Sequence, residues 1–114
     1  AMNEIKMLAL SFNYCHEIDV NEGRKLLVAA LDTFRSVINA DENIRPYLAN
    51  YPFEIKNIEI RIFIQNEEGT TIGLDKLCVI SAIEGILQYQ IHTPDGMWLD
   101  TIYQETYEEA LKKL

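Results

Sequence analysis

The sequence predicts a two-layer α+β domain in the order β-α-β-β-β-α, with a four-stranded antiparallel sheet and two helices packed on one face. Three observations carry that prediction. Ile58, Ile60, Ile62 and Ile64 alternate with Asn57, Glu59, Arg61, Phe63 and Gln65, which marks a strand with one wet face and hence an antiparallel sheet. Leu27, Ala30, Leu31, Phe34 and Ile38 recur at helical spacing. Turn residues at Asn66-Glu67-Glu68-Gly69, Glu84-Gly85 and Thr93-Pro94-Asp95-Gly96 cut the second half into short runs. A sheet covered on both faces has no room for polar alternation, so two layers suffice.

Residues 3–14 form the first expected strand, with Leu8, Leu10, Phe12 and Tyr14 on one face and Met7 and Ala9 on the other. Residues 20–39 form the first helix. Asp19 is its N-cap, and Glu22 completes a capping box by accepting from the backbone N–H of Asp19. Arg24, Lys25, Asp32, Arg35 and Ser36 lie away from the centre of the apolar stripe, and Asn39 is a stop. Residues 40–54 connect; Pro46 opens a short helical turn that Asn50 and Pro52 break. Residues 56–65 are the alternating strand. Residues 76–83 are apolar on both faces, which places them near the centre of the sheet. Glu84-Gly85 supplies a tight turn into residues 86–92, where Leu87, Tyr89 and Ile91 oppose Gln88 and Gln90. A last helix is expected over 101–113, capped by Asp100 or Thr101, with Tyr103, Tyr107, Ala110, Leu111 and Leu114 as its stripe.

The 114 residues fit one domain over 1–114. Ten Lys and Arg stand against 18 Asp and Glu, a net charge of −8. A nucleic-acid surface needs clustered cations to displace counterions from phosphates, and the basic residues here are scattered, so no nucleic-acid partner is expected. No run approaches the ~20 apolar residues that span a bilayer, so no transmembrane segment is expected in this chain. Ala1 precedes Met2. If Met2 is the native start, the protein is cytoplasmic; if an upstream signal segment precedes this chain, it is exported. Cys15 and Cys78 form no CxxC pair and, being the only cysteines, no disulfide framework.

No phosphate loop, GxGxxG, HExxH, GxSxG or EF-hand spacing occurs. No cofactor, metal ligand or catalytic residue is therefore assigned. Cys15 and His16 are neighbours, but adjacent residues on an extended chain point to opposite faces and are poorly placed for proton transfer. Cys15 reads as a small buried hydrophobe, His16 as a polar loop residue and His92 as a surface turn histidine. Met97 and Trp98 read as closing the core. Aromatics and Arg are the residue types of interaction hot spots. This singles out Arg45, Tyr47 and Tyr51 in the crossover, and Phe63 as the one aromatic on a wet face. The competing reading of 44–53 is a crossover whose aromatics cover an open end of the core.

The block Ile38-Asn39-Ala40-Asp41-Glu42-Asn43-Ile44-Arg45-Pro46-Tyr47-Leu48-Ala49-Asn50-Tyr51-Pro52-Phe53 resembles one in a family of small uncharacterised proteins, a domain of unknown function, from intracellular bacteria. Asn57-Ile58-Glu59-Ile60-Arg61-Ile62-Phe63 and Glu105-Thr106-Tyr107-Glu108-Glu109-Ala110-Leu111 are similar to its later blocks. The resemblance spans most of the chain and implies no activity, ligand or catalytic residue. Members often carry an apolar, export-like N-terminal segment, which implies that this chain is trimmed. The expectation for function is a non-enzymatic domain that binds a protein partner or forms a homo-oligomer. The alternative is a small-molecule-binding domain, or degenerate enzyme, with a pocket between the sheet and the long helix.

Overall fold

The computed structural model describes residues 4–114. The expectations about Ala1, Met2 and residue 3 lie outside the described residues. The chain is α+β, as its patterning predicts. It runs β1 (Leu8–Tyr14), α1 (Val20–Ala40), β2 (Ile58–Ile64), β3 (Val79–Ile83), β4 (Ile86–His92), β5 (Leu99–Thr106) and α2 (Tyr107–Lys112), with short 3-10 turns at Arg45–Tyr47 and Ile55–Asn57.

Two details of the sheet differ from the expectation. It has five strands in the order β1-β2-β3-β4-β5, and it is mixed: β1 pairs parallel with β2, and every other pairing is antiparallel. The parallel pair follows from connectivity. A strand that reaches its neighbour through a helix returns in the same direction, whereas a hairpin reverses it. The fifth strand occupies residues expected to be helical. Thr101, Ile102, Tyr103 and Thr106 are β-branched or aromatic and favour extended backbone. The helix starts later, at Thr106, whose hydroxyl accepts from Glu109 N at 3.1 Å while Glu109 Oε1 accepts from Thr106 N at 2.8 Å. A register shift opposite Tyr89 and Gln90 leaves Ile102 without a cross-strand mate, and this bulge hides the period-two pattern.

The first helix is capped as its sequence predicts. Asp19 Oδ1 accepts from Glu22 N at 2.8 Å, and Glu22 reaches back to Asp19 N. The core lies between α1 and the sheet. Leu27 and Leu31 of α1 press on Ile58, Ile60 and Ile62 of β2, Ile80 of β3 and Leu87 of β4, all fully buried. The expected stripe is correct at Leu27, Leu31 and Ile38 but rotated elsewhere: Val28 and Arg24 take core positions, while Ala30 and Phe34 sit half-buried on the β1 side. Arg24 is thus a correction. It is buried against the sheet, not set aside from it.

Glu84 and Gly85 both hold positive φ, at 50° and 81°. That is the conformation a two-residue hairpin turn requires between Ile83 and Ile86. Gly23 has a different role, in the first turns of α1. A Cβ there lies 3.5 Å from the Tyr89 ring and 3.6 Å from Ile80, ordinary contact. Gly costs about 0.5–1 kcal/mol relative to Ala inside a helix. Gly23→Ala therefore stabilises by up to that amount, read as a higher urea midpoint at unchanged slope. A lower midpoint means that the Tyr89 ring has no room to give.

Candidate interaction surface

Phe63 is the penultimate residue of β2, on the face turned away from α1. Its cross-strand mate is Val79, which pairs in turn with Gln90. His92 and Leu99 form the last pair of β4 and β5. The strand ends, with Ile72 and the turn between β4 and β5, surround an open hollow of about 370 Å³ whose lining includes Phe63, Cys78, Val79, His92, Met97, Trp98 and Leu99. Phe63 is 40% exposed, Met97 74% and Trp98 70%. Trp98 corrects its sequence reading, since it stands out from the surface and closes no core. His92 ends β4 beside that turn, as its sequence reading places it, and is half-buried in the wall of the hollow.

The turn that raises Met97 and Trp98 is stiff. Thr93 N donates to Trp98 O at 2.9 Å, Gly96 N to Thr93 O at 2.8 Å, and Trp98 N to Thr93 Oγ1 at 3.2 Å. Asp95 accepts from the Thr93 hydroxyl, and from Met97 N at 3.0 Å. Those two donors, the hydroxyl foremost, hold its carboxyl below the ordinary range. Gly96 adopts a φ of 73° to close the turn. The exposed aromatic is therefore presented by a fixed loop.

Arg45, Tyr47 and Tyr51 lie at the other end of β2, before its first residue, so the fold does not bring them together with Phe63. The Arg45 guanidinium stacks 4.7 Å over the Tyr51 ring and donates to Asn39 O at 3.0 Å. Tyr47 and Tyr51 are half-exposed, whereas Phe53 is 1% exposed and plugs the core. Asn39 does not stop α1, which runs on to Ala40 and is capped at Asp41. The Asn39 side chain accepts from Phe53 N at 2.7 Å and donates to Phe53 O at 3.1 Å. The Tyr51-Pro52 peptide is cis.

The strongest electrostatic cluster is one that local sequence does not mark. Glu105 on β5 is buried beneath α1. Its Oε2 accepts from Arg24 Nε at 2.8 Å and from the Tyr89 hydroxyl at 2.7 Å, and its Oε1 accepts from Lys113 Nζ at 3.1 Å. Burial alone would raise the Glu105 carboxyl, but the bonds from Tyr89, Arg24 and Lys113 outweigh it and hold it below the usual carboxylate range. Burial and Glu105 together push the Tyr89 phenol far up. The bond to Glu105 outweighs desolvation and raises Arg24. Every partner in this cluster is satisfied from within the protein, so the cluster holds α1 and α2 to the sheet.

Cys15 and His16 do not act on each other. Cys15 is exposed, against its sequence reading, and its thiol donates to Gln65 Oε1 at 3.5 Å. His16 Nδ1 lies 3.4 Å from Glu67. Cys78 is a free thiol too, pushed up by burial. Among the described residues, no group of three or more His, Cys, Asp and Glu is placed to share a metal ion. No helix among them is long and apolar enough to cross a membrane. Between the sheet edge at β1 and the flank of α1 runs a second open trough, lined by Leu10, Phe12, Leu26, Ala30, Phe34 and Val37 among others. Comparison with protein families, curated proteins and solved structures finds no match for this chain.

Proposed function

We propose that this domain works by binding a protein through the apolar end of its sheet, without catalysing a reaction. The observation that carries the reading is the convergence of Phe63, Met97, Trp98 and Leu99, all exposed, on one hollow. Aromatic residues and Met are enriched where protein surfaces meet, and Trp is among the residue types enriched at hot spots. The hydrogen-bonded turn beneath Trp98 lowers the ordering cost of docking, because the side chain is already held where a partner meets it. A small ligand needs most of its own surface buried. Met97 and Trp98 form an open rim around the hollow, which suits a complementary protein surface better.

Trp98 is the single tryptophan, so its emission reports on this surface alone. A photo-reactive residue at position 97, expressed in the native host, will give a discrete protein adduct. Phe63→Lys will abolish it while leaving the circular dichroism spectrum unchanged. Purified partner, once identified from that adduct, will shift the Trp98 emission to the blue. An adduct pattern indifferent to Phe63→Lys and to Trp98→Asp overturns the reading.

A further inference from the structure

We infer that β1 is a dimerisation strand: two copies of this chain pair antiparallel through the outer edges of β1, about a two-fold axis at Ser11, into one continuous sheet. The surface is separate from the Phe63–Trp98 end.

The backbone decides which groups are free. Tyr14 O accepts from Gln65 N at 2.9 Å, so Tyr14, and with it Leu8, Leu10 and Phe12, turn their backbone groups toward β2. Ala9, Ser11 and Asn13 turn theirs outward, where the sheet has no neighbouring strand among the described residues. The same edge is already covered one step earlier: Ile5 N donates to Tyr47 O at 2.7 Å and Ala49 N to Ile5 O at 2.8 Å. That cover ends at Ile5, so the outward groups of β1 itself, on Ala9, Ser11 and Asn13, form an open ladder.

Edges exposed in this way are normally blunted by charge, proline or a bulge. The opposite edge, β5, has Asp100 and a bulge. From Leu8 to Tyr14 there is no charge and no proline. The three outward residues are symmetric about Ser11. In an antiparallel self-pairing Ser11 exchanges two N–H···O=C bonds with its own mate, and Ala9 exchanges two with Asn13 at each end. That register keeps Leu10 and Phe12 on the α1 side and sets Leu10 of one copy opposite Phe12 of the other. Both troughs beside α1 then face the axis and lose water. Charge fits a second copy. Two chains of net charge −8 repel over most of their surfaces, yet β1 brings no like charges together. Every residue from Leu8 to Tyr14 is uncharged.

Sedimentation of the full chain is expected to show a dimer, and Leu10→Lys, a half-exposed position, to give a folded monomer by circular dichroism. In a Cys15→Ser background, Ser11→Cys alone will form a disulfide-linked dimer on mild oxidation. Ala9→Cys and Asn13→Cys will do so only when mixed, since their mates in this register lie about 5.5 Å apart between Cα atoms, within disulfide reach. A wild-type monomer at all concentrations overturns the inference. So does a dimer that survives Leu10→Lys, or one in which Asn13→Cys links to itself. A dimer dissolved by Phe63→Lys but not by Leu10→Lys overturns it while supporting the binding surface proposed above.

Discussion

Glu105→Ala will cost the fold about 3–5 kcal/mol, the usual effect of removing one partner from a buried ion pair. Arg24 is 6% exposed and Glu105 3%. Without the carboxylate, the Arg24 guanidinium keeps, among the described residues, the hydrogen bond to Asn21 Oδ1 at 2.7 Å, and the Tyr89 hydroxyl loses its acceptor. Desolvation of the guanidinium is then uncompensated. The double variant Arg24→Met with Glu105→Leu removes both charges and will recover most of the loss, because an apolar pair of similar volume substitutes well for a buried ion pair. Urea unfolding of the two single variants and the double variant measures the coupling directly. Additive losses would show that the pair does not act as a unit.

The same cluster, together with the Tyr107 hydroxyl that donates to Asp32 Oδ1, shapes the pH dependence of stability. The Glu105 carboxyl is lower in the folded chain than its unfolded value of about 4.3, so its contribution is full above that value and is lost as pH falls through the folded one. The Tyr89 and Tyr107 phenols are raised, each by burial first and then by a carboxylate, Glu105 and Asp32 respectively. Their contribution is full below about pH 10 and fades as pH rises further. Urea midpoints plotted against pH will fall on both sides of a plateau, and Glu105→Ala will flatten the acid side.

Local signals were legible and distant ones were not, for reasons visible in particular residues. The Asp19–Glu22 capping box spans three residues and was plain. Thr106 and Glu109 have the same spacing, yet the tyrosines and leucines beyond residue 101 also fit a helical stripe, and that longer pattern masked the true start. The bulge at Ile102 shifts the register of β5, so no simple alternation betrays the strand. Arg24 and Glu105 meet across 81 positions, and no rule of local spacing pairs them. Phe63 was conspicuous as an aromatic on a polar face. That it meets Met97 and Trp98 depends on three successive strand registers, each a tertiary fact. The wide stripe of α1 has a physical meaning as well. Ala30 and Phe34 belong to it but exceed what the sheet covers, and the excess forms the wall of the trough beside β1.

Phe53→Ala will be as damaging as the loss of Glu105, at about 3–5 kcal/mol for a buried phenylalanine. Its ring is among the largest fully buried side chains, and it is the anchor by which the crossover from α1 to β2 meets the core. Asn39→Ala attacks the same anchor from the backbone side. It deprives Phe53 N and O of the Asn39 side chain, and an unsatisfied buried polar group costs about 1–3 kcal/mol. The two act on one residue, so the double variant will lose less than the sum of the singles. Hydrogen exchange distinguishes this from a general loss of stability. In Asn39→Ala the amides from Arg45 to Asn57 will exchange faster while those of β3 and β4 keep their protection relative to global unfolding. Uniform acceleration across the sheet would mean that Asn39 supports the whole fold and not the crossover. The Arg45–Tyr51 stack lies within that segment, so its guanidinium and ring will lose their fixed geometry in Asn39→Ala, whereas the Phe63–Trp98 hollow, built on the opposite ends of the strands, will keep its Trp98 emission.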